Sequence, residues 1–147
     1  MKTEPLNFNI LLSSKNWGNL PQFSIWLDDE LITQGSAGLT PQATNFTRNV
    51  TTGGHELKIR LENKTPADTR LVNGEIVDDM LLNIDSIVID DVDLGLITTT
   101  AKYILDQPQK YNGTVITELN HCVNLGWNGT YVLAFRSPFY LWLLESL

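Results

Sequence analysis

A single cysteine, Cys122, excludes a disulfide framework, so packing and hydrogen bonding must hold this chain of 147 residues together. Histidine is almost as scarce, with only His55 and His121. The His121-Cys122 adjacency suits zinc chemically, but zinc needs four ligands at a recognisable spacing and no second cysteine exists. Both histidines are therefore expected at core or edge positions. Basic residues are few: 10 Lys and Arg against 17 Asp and Glu leave a net charge of −7. None of the ten falls between Glu75 and Gly95, where seven acids sit. Phosphate backbones are bound by stripes of Lys and Arg, so nucleic acid is excluded as a partner. The longest apolar block near the C-terminus, Phe139–Leu144, is too short to cross a bilayer. The opening MKTEPLNFNILLSS lacks a basic segment followed by a long apolar one, which predicts no secretory signal. GSAG (35–38) has neither the following Lys nor the strand–helix context of a phosphate loop, and no local signature supports a Ser/His/Asp set. No enzyme is expected.

What is present is a globular composition, 42% hydrophobic and 18% charged, rich in strand patterns. In LNFNILLS, Leu6, Phe8, Ile10 and Leu12 alternate with more polar residues, the period of a strand buried on one face. HELKIRLEN places Leu57, Ile59 and Leu61 on one face and Glu56, Lys58, Arg60 and Glu62 on the other. FTRNVTT (46–52) runs into Gly53-Gly54 directly before that strand, which predicts a hairpin over 46–61. In MLLNIDSIVID the parity of Leu82 and Ile84 opposes that of Ile87 and Ile89. Either a β-bulge near Asp85-Ser86 or a strand buried on both faces would reconcile them. Thr33–Gln42 and Asn63–Asp79 read as loops, and TTTAKYILDQ (98–107) is the best helix candidate. Runs around 6–13, 22–33, 46–62 and 80–95 have the spacing of a sandwich. The expected fold is all-β: a jelly-roll-like antiparallel β-sandwich over residues 5–97, with 98–147 as a C-terminal extension.

In that extension, short strands are expected around a Trp127-Asn128-Gly129 turn. The closing block, Phe139, Tyr140, Trp142, Leu143 and Leu144 included, must be covered either by the chain's own core or by a partner, because loose apolar surface aggregates. Five Asn-x-Ser/Thr matches (Asn45, Asn49, Asn63, Asn112, Asn128) read as Asn/Thr richness rather than glycan acceptors in a chain without a signal.

Three acidic pairs divide by context. Asp28-Asp29 in IWLDDELI and Asp90-Asp91 in IVIDDVDL lie between short apolar arms, and Asp tolerates the positive φ of two-residue hairpin loops. Both are expected to be turns. Asp78-Asp79 instead follows a long polar loop. With Glu75 and Asp68 it offers hard oxygens to one sheet edge, a donor set that suits calcium, though no cofactor is required for folding. The alternative pairs Asp68 with Arg70 or Lys64 and leaves Asp78 and Asp79 in solvent. Among the aromatics, Trp17 and Trp127 stand beside Gly18 and Gly126 in turn-like contexts, where an exposed ring could stack on a sugar.

The series FSIWLDDELI, FTRNVTTGGHELKIRLENK, DDMLLNIDSIVIDDVDLG, over about residues 20–95, resembles the small calcium-dependent xylan-binding carbohydrate-binding modules. The matching positions are His55, Leu57 and Ile59, then Asp78 and Asp79 before Leu81-Leu82. The chain departs from that pattern in its missing secretion signal and its C-terminal third. As a whole it is similar in style to virion structural proteins of tailed bacteriophages, marine T4-like phages in particular, through HELKIRLENKTPADT, DDMLLNIDSIVIDDVDLG and NGTYVLAFRSPFYLWLLESL. That resemblance implies a tail, fibre or capsid-surface subunit, assembled in the host cytoplasm into the virion and partnered by other virion subunits. The module resemblance implies instead a calcium-assisted contact with a glycan, for a phage a host glycan.

Overall fold

Alternation at Leu6, Phe8, Ile10 and Leu12 does build a strand, and a long one. In the computed structural model, which describes residues 2–95 and 100–146, the chain runs through β1 (Thr3–Lys15), β2 (Gln22–Leu27), β3 (Glu30–Ser36), β4 (Gln42–Thr51) and β5 (Gly53–Leu61). A 3-10 turn, Pro66–Asp68, precedes β6 (Thr69–Val72), β7 (Glu75–Asp79), β8 (Leu81–Ile89) and β9 (Val92–Asp93). The remainder is β10 (Lys102–Tyr111), β11 (Thr114–Asn120), β12 (Asn124–Leu125), β13 (Gly129–Ser137) and the helix α1 (Phe139–Ser146).

Two antiparallel sheets share these strands. The five-stranded sheet runs β12-β8-β1-β4, with β9 also paired to β8, and the six-stranded sheet runs β11-β10-β13-β5-β2-β3. A separate ribbon, β6-β7, stands apart from both. The core lies between the sheets: Leu6, Phe8 and Ile10 of β1 and Leu82 and Ile89 of β8 meet Ile25, Leu57, Ile59, Leu61, Leu133 and Phe135, all buried. Burial of each such side chain contributes about 1.5–3 kcal/mol, so the alternation alone supplies a large driving force. The expected β-sandwich is what forms.

The bulge is real. Leu11 opposes Ser86 while Leu12 opposes Ile84, leaving Asp85 as the extra residue. Leu82, Ile84, Ile87 and Ile89 consequently all reach the core. The two hairpin turns are real as well: Leu27 pairs with Glu30 and Ile89 with Val92, and Asp28, Asp90 and Asp91 take φ of 53°, 48° and 63°.

Four expectations need correction. Residues 46–61 are not a hairpin, because β4 pairs with β1 in one sheet while β5 pairs with β2 and β13 in the other. The glycines turn the chain across the core, and Gly53 at φ 124° occupies backbone space that side chains rarely enter. Neither expected loop is all loop: residues 33–36 of Thr33–Gln42 complete β3, and Asn63–Asp79 folds into the β6-β7 ribbon around Asn73-Gly74. The described part of the helix candidate, from residue 100, leads into strand β10, whose Tyr103 and Leu105 are buried and Lys102, Ile104 and Asp106 exposed. Strand alternation there outweighs a weak helical pattern. Residues 98 and 99, and with them the expected 97/98 boundary, lie outside the described residues. The described part of 98–147 is no appendage: β10, β11 and β13 are strands of the six-stranded sheet, and β13 lies at its centre beside β5. The Trp127-Asn128-Gly129 bend likewise joins the two sheets, because β12 belongs to one and β13 to the other.

The crossing from β4 to β5 is pinned by His55. Its Nδ1 lies 2.7 Å from Asp28 Oδ2 and its Nε2 lies 2.6 Å from the Thr51 carbonyl oxygen. A carboxylate and a carbonyl oxygen are both acceptors, so this geometry favours a ring that donates from both nitrogens, the imidazolium form. Burial alone would lower its pKa, but the bonds to Asp28 and Thr51, with the charge of Asp28, outweigh burial and hold it above the usual histidine value. A group whose folded pKa is raised stabilises fully below its unfolded pKa, and that stability is lost as pH climbs through the folded one. The urea midpoint of the wild type is therefore expected to fall between about pH 6 and about pH 8, and His55→Gln to flatten that slope. An unchanged slope in the variant would assign the dependence to another group.

Candidate functional site

The acids expected to gather around calcium are dispersed. Asp68 is buried, and its carboxylate accepts from Thr65 N (2.8 Å), Thr65 Oγ1 (3.1 Å) and Asn19 N (3.2 Å). Burial would raise its pKa, yet these bonds and nearby Lys64 lower it. Asp79 Oδ1 accepts from Lys64 Nζ (2.5 Å), Thr69 Oγ1 (2.7 Å) and Met80 N (2.9 Å). Asp78 pairs with Arg70 at 3.2 Å. Glu75 is exposed on β7. Each of the three aspartates already faces protein donors, and among the described residues no group of three His, Cys, Asp or Glu could hold a metal. These four acids do not fit a calcium shell, which needs six to eight converging oxygens. The ion pairs also differ from the alternative expectation: Lys64 and Arg70 take Asp79 and Asp78, not Asp68.

What the loop builds instead is the floor of a cavity. Lys64 Nζ donates also to the carbonyl oxygens of Met80 and Gly126, both at 2.8 Å, so all three of its protons are engaged. Asn128 brackets the Lys64 peptide, its Oδ1 accepting from Lys64 N at 2.8 Å and its Nδ2 donating to Lys64 O at 2.9 Å. The buried Tyr103 hydroxyl donates to the Trp127 carbonyl, and burial pushes its pKa up, keeping it a donor. These bonds tie the connection after β5, the start of β8 and the β12–β13 link into one rigid base.

Above this base lies a cavity of about 760 Å³, walled by the β6-β7 ribbon on one side and by the β10–β11 hairpin on the other. Trp127 gives it aromatic surface, Asp106, Gln107, Gln109 and Asn124 give it planar polar groups, and Leu71, Ile76 and Leu119 add apolar rim. Asp106 is held by Arg60, whose Nη2 is 3.1 Å from its Oδ2. Cys122 also lines the cavity, but burial pushes its thiol pKa up, and its Sγ–H donates to Asn124 O, so it is not an activated nucleophile. Flat amides and carboxylates beside an aromatic ring match a polyol: adjacent hydroxyls pair with planar polar groups, and the C–H face lies on the ring.

Of the two tryptophans expected to be exposed, Trp127 is half-buried against the core, with part of its surface lining this cavity. Trp17 lies elsewhere, with the Arg70 guanidinium 5.2 Å from its ring centroid. Asp106, Gln107, Gln109 and Asn124 were not singled out in the sequence, where Asp106 and Gln107 fell at the end of the helix candidate 98–107. The one usable signal was Asn112-Gly113, which closes the β10–β11 hairpin at φ 50° and 77°. The C-terminal block divides along α1. Phe139 and Leu143 are buried, with the Phe139 ring 6.5 Å from Phe135 and Trp142 partly covered, so these are core of the chain itself. Tyr140, Leu141 and Leu144 remain exposed. The helix start is fixed by Glu4, whose Oε1 accepts from Phe139 N at 2.7 Å and Ser137 Oγ at 2.6 Å.

Neither a protein-family model nor a curated protein matches the chain. Solved structures do, and they place it among β-sandwiches built like carbohydrate-binding modules. A structure of vCBM60 in complex with galactobiose superposes with a TM-score of 0.53 at 10% identity, over 86% of this chain and 95% of that one. The selenomethionine form of vCBM60, from work on circular permutation linking two families of calcium-dependent carbohydrate binding modules, gives 0.54 at 11%, over 86% and 88%. At such identities the likeness is one of fold.

Proposed function

We propose that the protein is a non-catalytic carbohydrate-binding module whose ligand sits in the cavity beside Trp127. The observation that carries this is the wall chemistry, an aromatic ring with Asp106, Gln107, Gln109 and Asn124 around one 760 Å³ space. The sandwich it shares with a galactobiose-binding module supports the same conclusion. Calorimetric titration with galactobiose, xylobiose, cellobiose and mannobiose, in buffer containing calcium, is expected to show binding of at least one. Trp127→Ala and Gln109→Ala should each weaken that binding about tenfold or more, the equivalent of about 1.4 kcal/mol. A wild type that binds none of the four, or variants that bind unchanged, would remove the proposal.

A second role, as a virion subunit working through assembly, is favoured by one feature only: Tyr140, Leu141 and Leu144 expose 55%, 53% and 72% of their surface along α1. Light scattering on the intact chain and on Leu144→Lys decides it. Assembly broken by the substitution supports it, and two identical monomers end it.

A further inference from the structure

Beyond the cavity, the outward face of the six-stranded sheet carries a shallow trough of about 460 Å³. Resting on the glycan-binding proposal, we infer that this trough is a second subsite continuous with the cavity, so that the ligand is a neutral, linear oligosaccharide of several residues rather than a single sugar or a chain end. Strand register builds it. Trp26, Lys58 and Val132 lie in one row across β2, β5 and β13, and Arg60, Thr130 and Ile104 in the next across β5, β13 and β10. All six line the trough.

Trp26 has the properties of a fixed platform. Its indole N–H donates to Ser24 Oγ at 2.9 Å, and Ser24 Oγ donates to Glu62 Oε1 at 3.0 Å. The polar edge of the ring is thus satisfied inward and its orientation set before any ligand arrives, which reduces the ordering cost of binding. Ile104, 48% exposed, offers apolar surface at the far side of the trough.

The two depressions meet at one ion pair. Asp106 lines the cavity, Arg60 lines the trough, and the guanidinium bridges them, bonding Asp106 Oδ2 at 3.1 Å and Thr130 Oγ1 at 2.7 Å. From Trp26 on β2 to the Asp106 strand is three strand spacings, roughly 14 Å, the reach of a short oligosaccharide before the cavity itself is entered. Charge selects within that class. Asp28, Asp29 and Glu56 line the trough, while its two cations already face carboxylates, Lys58 that of Glu56 at 3.7 Å and Arg60 those of Glu62 and Asp106. An anionic chain therefore meets uncompensated like charge at the Asp28-Asp29 end, and Lys64 in the cavity has no free proton to offer one. A polyol without charge meets only donors and acceptors.

Calorimetry on the full chain with disaccharides and hexasaccharides of galactose, xylose, glucose and mannose tests this. For the sugar that binds, the hexasaccharide is expected to bind about tenfold tighter than the disaccharide. Trp26→Ala and Ile104→Glu should each erase that gain and leave the disaccharide affinity unchanged. Because Ile104 is half exposed, its variant keeps the test valid should Trp26→Ala fold poorly. Equal affinity for both lengths, or a gain that survives in a folded variant, overturns the second subsite while leaving the cavity intact. If no sugar of either length binds the wild type, the module assignment fails and the subsite with it.

Discussion

Gly129→Ala is expected to abolish folding or remove most of the protein's stability. A Cβ at this position would stand 2.4 Å from the Ile104 carbonyl oxygen and 3.1 Å from both Leu105 Cα and Tyr103 Cζ. Two of these atoms are backbone of β10, the strand that pairs with β13 at Leu105–Gly129, so no side-chain rotation relieves the clash. Gly129 also pairs with Leu61 on β5, so β13 cannot shift away without disturbing its other neighbour. The cost should exceed about 3 kcal/mol, the severe end of overpacking, against a total stability of about 5–15 kcal/mol. Gly126→Ala is the internal comparison: its Cβ would meet only the Leu81 Cδ2 methyl at 3.1 Å, a flexible tip, and a small effect should follow. Chemical denaturation distinguishes the two, and a Gly129→Ala protein with a wild-type midpoint would show that the strands are spaced differently.

Lys64→Met should be nearly as damaging. Its side chain is 9% exposed, and the ammonium holds Asp79 of β7, the Met80 carbonyl and the Gly126 carbonyl together. Methionine preserves the stem but leaves a largely covered carboxylate without its cation and two carbonyls without a donor. Breaking one side of such a pair costs about 3–5 kcal/mol. Asp79→Asn on top of Lys64→Met is expected to recover part of the loss, because the stranded charge disappears, whereas a purely additive double variant would place the damage elsewhere. Urea midpoints of the four proteins in the cycle give the answer.

The features legible in the sequence were those with local causes. Asp28-Asp29 and Asp90-Asp91 turn the chain because a short polar side chain tolerates positive φ, a property of the residue and not of its surroundings. The bulge at Asp85 was visible because a parity break within one strand has few resolutions. Where partners decide, local pattern was silent or misleading. Gly53-Gly54 signals that the chain bends but not that β5 will join a different sheet from β4. Asp68, Asp78 and Asp79 look like a metal cluster until Asn19, Thr65, Thr69, Lys64 and Arg70 are brought to them. The cavity draws its wall from residues 64–79, 106–109 and 119–128, segments far apart in the chain that only the tertiary fold makes neighbours. The C-terminal block was split for the same reason, since helix α1 buries Phe139 and Leu143 and turns Tyr140 and Leu144 outward.

The central place of β13 has a consequence for how the protein comes into being. Twelve of the described strands are synthesised before it, yet β5 and β10 gain their common neighbour only when residues 129–137 arrive. Until then β5 and β10 each lack that neighbour and keep an open hydrogen-bonding edge, so the six-stranded sheet closes only once residues 129–137 have been made. A ribosome stalled upstream of Gly129 would display the β5 and β10 edges side by side, and those edges are templates for aggregation.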